Sequence, residues 1–168
     1  MVVNLRIAGL CLALVLSPAS GIADLAKPTG PVVLEVSGSI AEVNAGKMAD
    51  FDLDMLEALP QHTTTTKTPW FEGETTFTGP LLSDVMAAVA GSGDIIKVSA
   101  LNDYTAEIPI SDVKDYPVIL ATRIDGKRIS VRDKGPLFVV YPFSEAPELY
   151  NEVTFNKSVW QVARIGIE

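Results

Sequence analysis

Short segments that alternate between apolar and polar residues dominate the chain and predict a β-rich domain. Residues 32–37 place Val32, Leu34 and Val36 on one face, as a half-buried strand does. Alternation or β-branched composition predicts further extended segments at residues 62–68, 95–100, 105–110, 118–124, 127–131, 137–141 and 158–167. The last of these is predicted to present one side formed by Val159, Gln161, Ala163, Ile165 and Ile167.

Helical periodicity is confined to two segments. Residues 52–59 predict a short amphipathic helix that ends at Pro60, with acidic residues such as Asp52 at its N-terminus. A longer helix is predicted by the apolar stripe of Leu81, Leu82, Val85, Met86 and Val89, with Gly79 as its cap, Pro80 in its first turn and Gly91 after its last turn. The order of the predicted strands and helices along the chain indicates a single α+β domain with mixed or antiparallel sheets, one main helix and several short helices.

The first residues have the pattern of a secretory signal peptide. Arg6 gives a positive start, residues 7–16 are apolar, and small residues follow, so we expect cleavage after Ala23, with Ala19 as the alternative. The apolar run has roughly half of the ~20 residues that a membrane anchor needs. The sequence therefore predicts a periplasmic protein with three parts: a cleaved signal peptide at 1–23, a linker at 24–31 and a domain at 32–168.

Composition narrows the classes of partner. The 168 residues include 13 basic and 21 acidic side chains, a net charge of −8, which disfavours nucleic acid and anionic membrane surfaces. No segment after the signal is apolar for long enough to insert into a membrane. Cys11, the only cysteine, lies in the expected signal peptide, so the mature chain would carry no thiolate.

The side chains favour binding over catalysis. His62 is the only histidine and no nucleophile motif accompanies it, so we predict no catalytic residue and no metal site. Three polar or aromatic segments are instead candidates for ligand binding: Thr66, Thr68 and Trp70; Asn102, Asp103 and Tyr104; and Arg132 with Lys134.

Each candidate segment has a simpler structural explanation. Trp70 offers a flat face for stacking a planar ring, or it closes the core as a lid. Asp103 can accept two hydrogen bonds from an amidine-like edge, or it belongs to an ordinary Asx turn. Arg132 and Lys134 can hold a carbonyl or phosphate group, or they form a solvated charge run.

Several stretches, in their order and spacing, resemble the sulfite-oxidase-type molybdopterin-binding domain. They are Thr68-Pro69-Trp70, Phe77-Thr78-Gly79-Pro80-Leu81-Leu82, Asn102-Asp103-Tyr104, Ile108-Pro109, Asp125-Gly126-Lys127, Arg132 to Leu137, Tyr141-Pro142 and Val159-Trp160-Gln161. The resemblance spans about residues 32–167. It implies a sulfite-oxidase-like fold with a pterin cleft, and it adds Tyr141 to the candidate ligand-binding residues.

The chain departs from the enzymes of that family at the metal ligand. The family's molybdenum-binding cysteine would fall near Thr66 and Lys67, where no cysteine is present, and these residues do not replace a soft thiolate. The chain thus resembles periplasmic pterin-binding proteins of the PruR type. That resemblance implies a reduced pterin bound without molybdenum, and docking onto the periplasmic domain of a membrane receptor that makes or degrades cyclic di-GMP.

Two other functions stay open at this stage. One is a molybdopterin-dependent oxidoreductase, or a subunit of one, that uses a ligand other than a thiolate. The other is an adaptor that keeps the fold without a ligand. The missing cysteine favours a non-enzymatic role over the first of these.

Overall fold

A computed structural model describes residues 25–168; the predicted signal peptide at 1–23 lies outside the described residues. Within residues 25–168 the chain forms eleven β-strands and four α-helices. The strands are β1 (Val32–Gly38), β2 (Ala49–Asp52), β3 (Gln61–Lys67), β4 (Glu74–Pro80), β5 (Ile95–Ala100), β6 (Thr105–Pro109), β7 (Ile119–Ala121), β8 (Arg123–Ile124), β9 (Lys127–Arg128), β10 (Phe138–Val140) and β11 (Val162–Ile167). The helices are α1 (Leu53–Ala58), α2 (Leu82–Ala88), α3 (Ile110–Asp115) and α4 (Glu152–Lys157).

The described strands form mixed and antiparallel sheets, as the sequence predicts. A five-stranded sheet has the order β2-β1-β11-β5-β6, and a four-stranded sheet has the order β3-β4-β8-β9. Strands β7 and β10 form a separate pair whose residues are all buried. Only the pairing of β1 with β11 is parallel among these strands, so the fold is α+β.

Two clusters of buried apolar side chains form the core. The larger cluster joins the five-stranded sheet to the helices, and it includes Leu34, Leu56 and Ile96. The smaller cluster joins the four-stranded sheet to the central pair β7 and β10, and it includes Phe77 and Phe138. No helix in residues 25–168 is long and apolar enough to cross a membrane.

The predicted start of the main helix is wrong. Gly79 and Pro80 end β4 instead of capping a helix, and α2 begins after Leu81, which gives it no side-chain cap. Gly79 is needed for a close approach, because a Cβ atom there would lie 2.1 Å from the carbonyl oxygen of Leu120. With seven residues, α2 exceeds each of the other described α-helices by a single residue.

The single apolar face predicted for the last strand is also wrong. A register shift between Val162 and Arg164 breaks the alternation, so Val162 is buried and Ala163 is only partly buried. Gln161 adopts a left-handed φ of 53° and precedes the strand. The extra residue at the register shift is Ala163, and it moves the following side chains to the opposite face. Ile165 and Ile167 are buried as predicted.

The predicted hairpin at Asp125-Gly126 is confirmed, although the strands around it are shorter than predicted. Asp125 and Gly126 have φ values of 47° and 78°, as a type I′ turn requires. The extended segment predicted before the turn divides at Thr122 into β7 and β8. Strands β2 and β4 and helices α3 and α4 were not predicted, and residue 110 begins α3 rather than ending a strand.

Asp52 attaches the predicted linker to the domain. One carboxylate oxygen accepts the N–H groups of Thr29 and Gly30, both at 2.8 Å, and the other caps α1 by accepting the N–H of Met55 at 2.9 Å. The expected role of this acid at the helix N-terminus is therefore confirmed. Since N–H donors stabilise the carboxylate, Gly30 foremost, they hold the pKa of Asp52 below its ordinary value of 3.8.

We expect Asp52→Asn to make stability less dependent on acid pH. A carboxyl whose pKa is lowered by folding stabilises the native state above its unfolded pKa, and this contribution is lost as the pH falls through the folded value. The free energy of unfolding of the wild type should therefore fall between about pH 5 and about pH 3, and fall less in the variant. Urea unfolding across this pH range measures the free energy of unfolding of the wild type and of the variant. Equal falls would show that the carboxylate contributes nothing to acid sensitivity.

Candidate functional site

A cavity of about 280 Å³ lies where three separate segments meet. Its walls come from the loop after β3, from the turn between β5 and β6, and from α4 with the residues that follow it. The lining residues are Trp70, Ala100, Asn102, Tyr104, Phe155, Asn156, Ser158, Val159 and Trp160. Because the segments are far apart in the chain, this cavity exists only in the folded domain.

Aromatic rings fix the position of Trp70 at the cavity. Its indole ring is half-buried and meets the rings of Phe155 and Trp160 edge to face, each at a centroid distance of 5.8 Å. Phe138 touches it from the smaller core cluster at 5.5 Å. Trp70 thus packs against the two core clusters, as a lid on the core does, and it also lines the cavity.

The turn at residues 102–104 contributes two of its three candidate side chains to the cavity wall. Asn102 lines the cavity, and its side-chain oxygen accepts the N–H of Tyr104 at 3.2 Å, which is the Asx turn. The hydroxyl of Tyr104 donates to the carbonyl of Asn156 at 2.9 Å and so joins the turn to α4. Asp103 has a φ of 64°, and its carboxylate pairs with Arg164 at 2.6 Å instead of lining the cavity.

The basic turn lies beside the cavity without forming its wall. Arg132 is exposed in the 3₁₀ turn Val131–Asp133. Lys134 follows in a left-handed conformation, and its ammonium group lies 5.0 Å from the ring centroid of Trp160 and 5.7 Å from that of Phe71. Since Trp160 lines the cavity, Lys134 supplies a positive charge close to its edge.

Two predicted site residues hold the scaffold together. The hydroxyl of buried Thr66 donates to Ser144 Oγ at 3.0 Å and accepts the N–H of Ser144 at 2.8 Å. Buried Tyr141 donates its hydroxyl to Asp112 at 2.8 Å, and Asp112 also accepts a hydrogen bond from Lys157 at 2.9 Å. Burial above all, and then the neighbouring carboxylate, raises the pKa of Tyr141.

Thr68 is the remaining candidate, and its environment is unusual. The side chain is 5% exposed, and its hydroxyl has no hydrogen-bond partner among residues 25–168. It lies two residues before Trp70 but is not part of the cavity wall. Of the nine predicted ligand-binding residues, the structure therefore brings Trp70, Asn102 and Tyr104 together at the cavity.

The second aromatic wall of the cavity was missed at the sequence level. Phe155 and Asn156 lie on α4, which the pattern did not predict, and Ser158, Val159 and Trp160 were assigned to a strand. Trp160 is 38% exposed, which is unusual for so large an apolar side chain. In the predicted strand 158–167, alternation puts Trp160 on the face opposite Val159 and Ile165, and a tryptophan on that face was the signal that could have marked this segment.

The side chains near the expected metal position do not fit a molybdenum ion held by a protein thiolate. Residues 33–146 contain no cysteine, and the hydroxyl of Thr66, near the expected ligand position, is occupied by Ser144. The described part of the chain contains no cluster of three or more histidine, cysteine, aspartate or glutamate side chains arranged to hold a metal. The aromatic and amide groups of the cavity suit a flat heterocycle better.

The fold and its cavity define an α+β domain of the sulfite-oxidase-like type. Comparison with protein families supports this class: the model of the oxidoreductase molybdopterin-binding domain matches residues 33–146. Because the match covers more than half of the chain, the protein belongs to the oxidoreductase molybdopterin-binding domain family. A search of curated proteins gives no match. The cavity residues on and after α4 lie beyond the matched stretch.

Proposed function

We propose that the protein is a sensor that binds a reduced pterin without a metal. The observation that carries this proposal is an aromatic cavity in a molybdopterin-binding domain whose matched residues contain no cysteine. Without a cysteine the matched residues offer the metal no thiolate ligand, whereas the part of the site that would hold a ring does not depend on a thiolate.

The chemistry of the cavity wall supports a bicyclic ring as the ligand. Trp70 and Trp160 provide aromatic surfaces, and stacking contributes about 0.5–1.5 kcal/mol beyond the area buried. Asn102 and Asn156 carry amide groups that both donate and accept, which matches the donors and acceptors at the edge of a pterin. The cavity volume of about 280 Å³ is just below the roughly 300–1,000 Å³ of ligand pockets, which favours a free pterin over a cofactor with a nucleotide tail.

The family assignment also supports a second candidate, a molybdopterin-dependent oxidoreductase or a subunit of one. In that case the protein would bind the whole molybdopterin cofactor, and the metal would have ligands other than a protein thiolate. The residues near the expected ligand position weigh against it, because Thr66 is buried and bonded to Ser144.

Analysis of the molecule that co-purifies with the protein separates the two candidates. We expect mass spectrometry of protein from its own host to find a reduced pterin, and elemental analysis to find molybdenum far below one atom per chain. Stoichiometric molybdenum would establish the oxidoreductase instead. Protein that carries neither and gains no thermal stability from added pterin would support the ligand-free adaptor.

The signalling part of the proposal concerns the surface around the cavity mouth. The proposed signal peptide directs the chain to the periplasm, where the partner is the periplasmic domain of a membrane receptor that makes or degrades cyclic di-GMP. Leu101 and Val131 are 53% and 51% exposed. Gln161 lies between them and holds them together: its carbonyl accepts the N–H of Leu101, and its side chain donates to the carbonyl of Val131. With exposed Tyr104 and Trp160 they form an apolar rim that supports docking of a protein partner.

We expect Leu101→Asp to abolish capture of this receptor without weakening pterin binding, because a carboxylate in an apolar contact is costly to desolvate. Pull-down of membrane proteins from the host, followed by a search for cyclic di-GMP enzymes among them, measures capture. Val43→Asp is the matched control, since Val43 is also an exposed apolar residue but lies between β1 and β2. Undiminished capture by Leu101→Asp would remove the rim from the docking surface.

A further inference from the structure

The outer edge of β3 is a long strand edge that no other described strand covers. In the described part of the chain, β3 has seven residues, ends the four-stranded sheet and pairs only with β4. Between Gln61 and Thr66 it has no acidic residue, lysine or arginine, and the strand contains no proline. Strand edges of this kind are templates for pairing with another strand.

The hydrogen bonds of β4 fix which backbone groups of β3 face outward. The carbonyl groups of Thr76 and Thr78 accept the N–H groups of Asp125 and Thr122, so they point away from β3. Their partners in register, Thr65 and Thr63, therefore form non-hydrogen-bonded pairs with β4, and their own N–H and C=O groups point away from it.

The end of β3 independently gives the same orientation. The N–H of Lys67 donates to Ser144 Oγ at 3.2 Å rather than to β4. Residues two apart in a strand direct their backbone groups to the same side, so Thr65 and Thr63 share the outward direction of Lys67. The edge thus presents the backbone N–H and C=O groups of Thr63 and Thr65 to a partner strand.

The other edges of the five- and four-stranded sheets in residues 25–168 are protected. The side chain of Asn44 covers β2, because its amide donates to the carbonyl of Asp50 at 2.8 Å and accepts the N–H of Asp50 at 2.7 Å. Strand β9 has only two residues, both charged, and β6 ends at Pro109. These are familiar devices against unwanted pairing. On β3, Ser144 covers only the end at Lys67, and no other described strand covers residues 61–65.

The edge of β3 is complementary to itself. If two copies pair in antiparallel fashion about Thr64, Thr63 lies opposite Thr65 of the second copy, and the two form a hydrogen-bonded pair. Lys67 falls opposite the uncharged Gln61 but keeps its N–H on Ser144, so the hydrogen bonds between the copies are those of Thr63 and Thr65. The two lysines are at opposite ends of the ladder. No like charges meet, which satisfies the pairing rule for opposed strands.

Side chains on the exposed face extend this complementarity. The hydroxyl groups of Thr63 and Thr78, and those of Thr65 and Thr76, are each 3.0 Å apart. Pairing about Thr64 would continue each threonine pair into a row of four across both copies, and cross-strand threonine pairs stabilise sheets. Two-fold dimers are also the most common assemblies of identical chains.

We propose that the protein forms a two-fold dimer in which the β3 strands of two copies pair antiparallel about Thr64. The pairing joins two four-stranded sheets into one continuous sheet. None of the residues that line the cavity belongs to β3, so this interface is separate from the proposed ligand site. The inference does not depend on the proposed function.

Sedimentation of the purified protein over a wide concentration range tests the dimer. We expect the mass to rise to twice that of the monomer, and Thr65→Pro to weaken dimerisation by about tenfold or more. Proline removes the outward N–H group of residue 65 but no hydrogen bond to β4, and edge strands tolerate proline. A monomer at every concentration up to millimolar would overturn the proposal.

A pair of double variants tests the register without a change of backbone. Thr63→Lys with Thr65→Lys places lysines opposite each other in both halves of the ladder, so we expect dissociation. Thr63→Glu with Thr65→Lys makes the same number of substitutions but places opposite charges together, so the dimer should persist. A dimer that is insensitive to the lysine pair and to Thr65→Pro would show that another surface is used.

Discussion

Replacing Gly79 with alanine is expected to lower the free energy of unfolding by about 3 kcal/mol, the upper end of the usual cost of overpacking. The new methyl carbon would lie 2.1 Å from the carbonyl oxygen of Leu120 and 2.8 Å from the Cα atom of Ala121. Both atoms belong to the backbone of β7, so no side-chain rotation relieves the contact and β4 must separate from β7. Urea unfolding followed by tryptophan fluorescence measures the loss.

Gly166→Ala is the matched control for this variant. Gly166 also lies in a strand, but its nearest neighbour for an added methyl group is Lys97 Cβ at 3.8 Å, an ordinary contact. Its stability should change by no more than about 0.5 kcal/mol. If Gly79→Ala proved equally mild, the close packing of β4 on β7 would be wrong.

Trp70→Ala is expected to weaken pterin binding by tenfold or more, or about 1.4 kcal/mol. The substitution removes a ring that lines the cavity and that Phe155 and Trp160 hold in place. The substitution also lowers the free energy of unfolding, because it removes packed ring atoms. Since Trp70 is only half-buried, we expect a loss of about 3 kcal/mol, the lower end of the range for a large aromatic residue. Calorimetric titration below the unfolding midpoint of the variant separates the two effects.

Phe71→Ala provides the control for Trp70→Ala. Phe71 is the next residue in the same loop and packs edge to face on Phe77 at 5.9 Å, but it does not line the cavity. We expect it to lose stability and keep its affinity for the pterin. Equal loss of affinity in both variants would mean that loop packing, rather than the indole at position 70, governs binding.

Local patterns predicted the strands well where a segment alternates without interruption. Strand β3 and the hairpin at Asp125-Gly126 follow directly from β-branched composition and turn chemistry. Strand β4 was missed because Gly79 and Pro80 also fit the start of a helix. The close approach of Leu120 decides between these alternatives, and its position is not encoded near residue 79.

The lining of the cavity was predictable on one side and not on the other. Trp70, Asn102 and Tyr104 stand out as aromatic or turn residues in polar loops, and all three line the cavity. Asp103 also stood out, but its carboxylate pairs with Arg164, 61 residues away. Short-range patterns contain no information on such a partner.

Helix α4 illustrates the same limit. It has six residues, and its stability depends on the cap from Asn151 and on Phe155 packing against Trp70 and Phe143. So short a helix has little intrinsic stability and forms through tertiary contacts. Those contacts also position the second wall of the cavity, which is why that wall was not predicted.

Titration of the purified protein with tetrahydrobiopterin, under anaerobic conditions to keep the pterin reduced, tests the central claim most directly. Tryptophan fluorescence reports on the cavity, because Trp70 and Trp160 both line it. We predict saturable quenching with one ligand per chain and a Kd in the micromolar range or below, about −8 kcal/mol or stronger. Quenching that does not saturate by millimolar pterin, with no heat of binding, would contradict the claim.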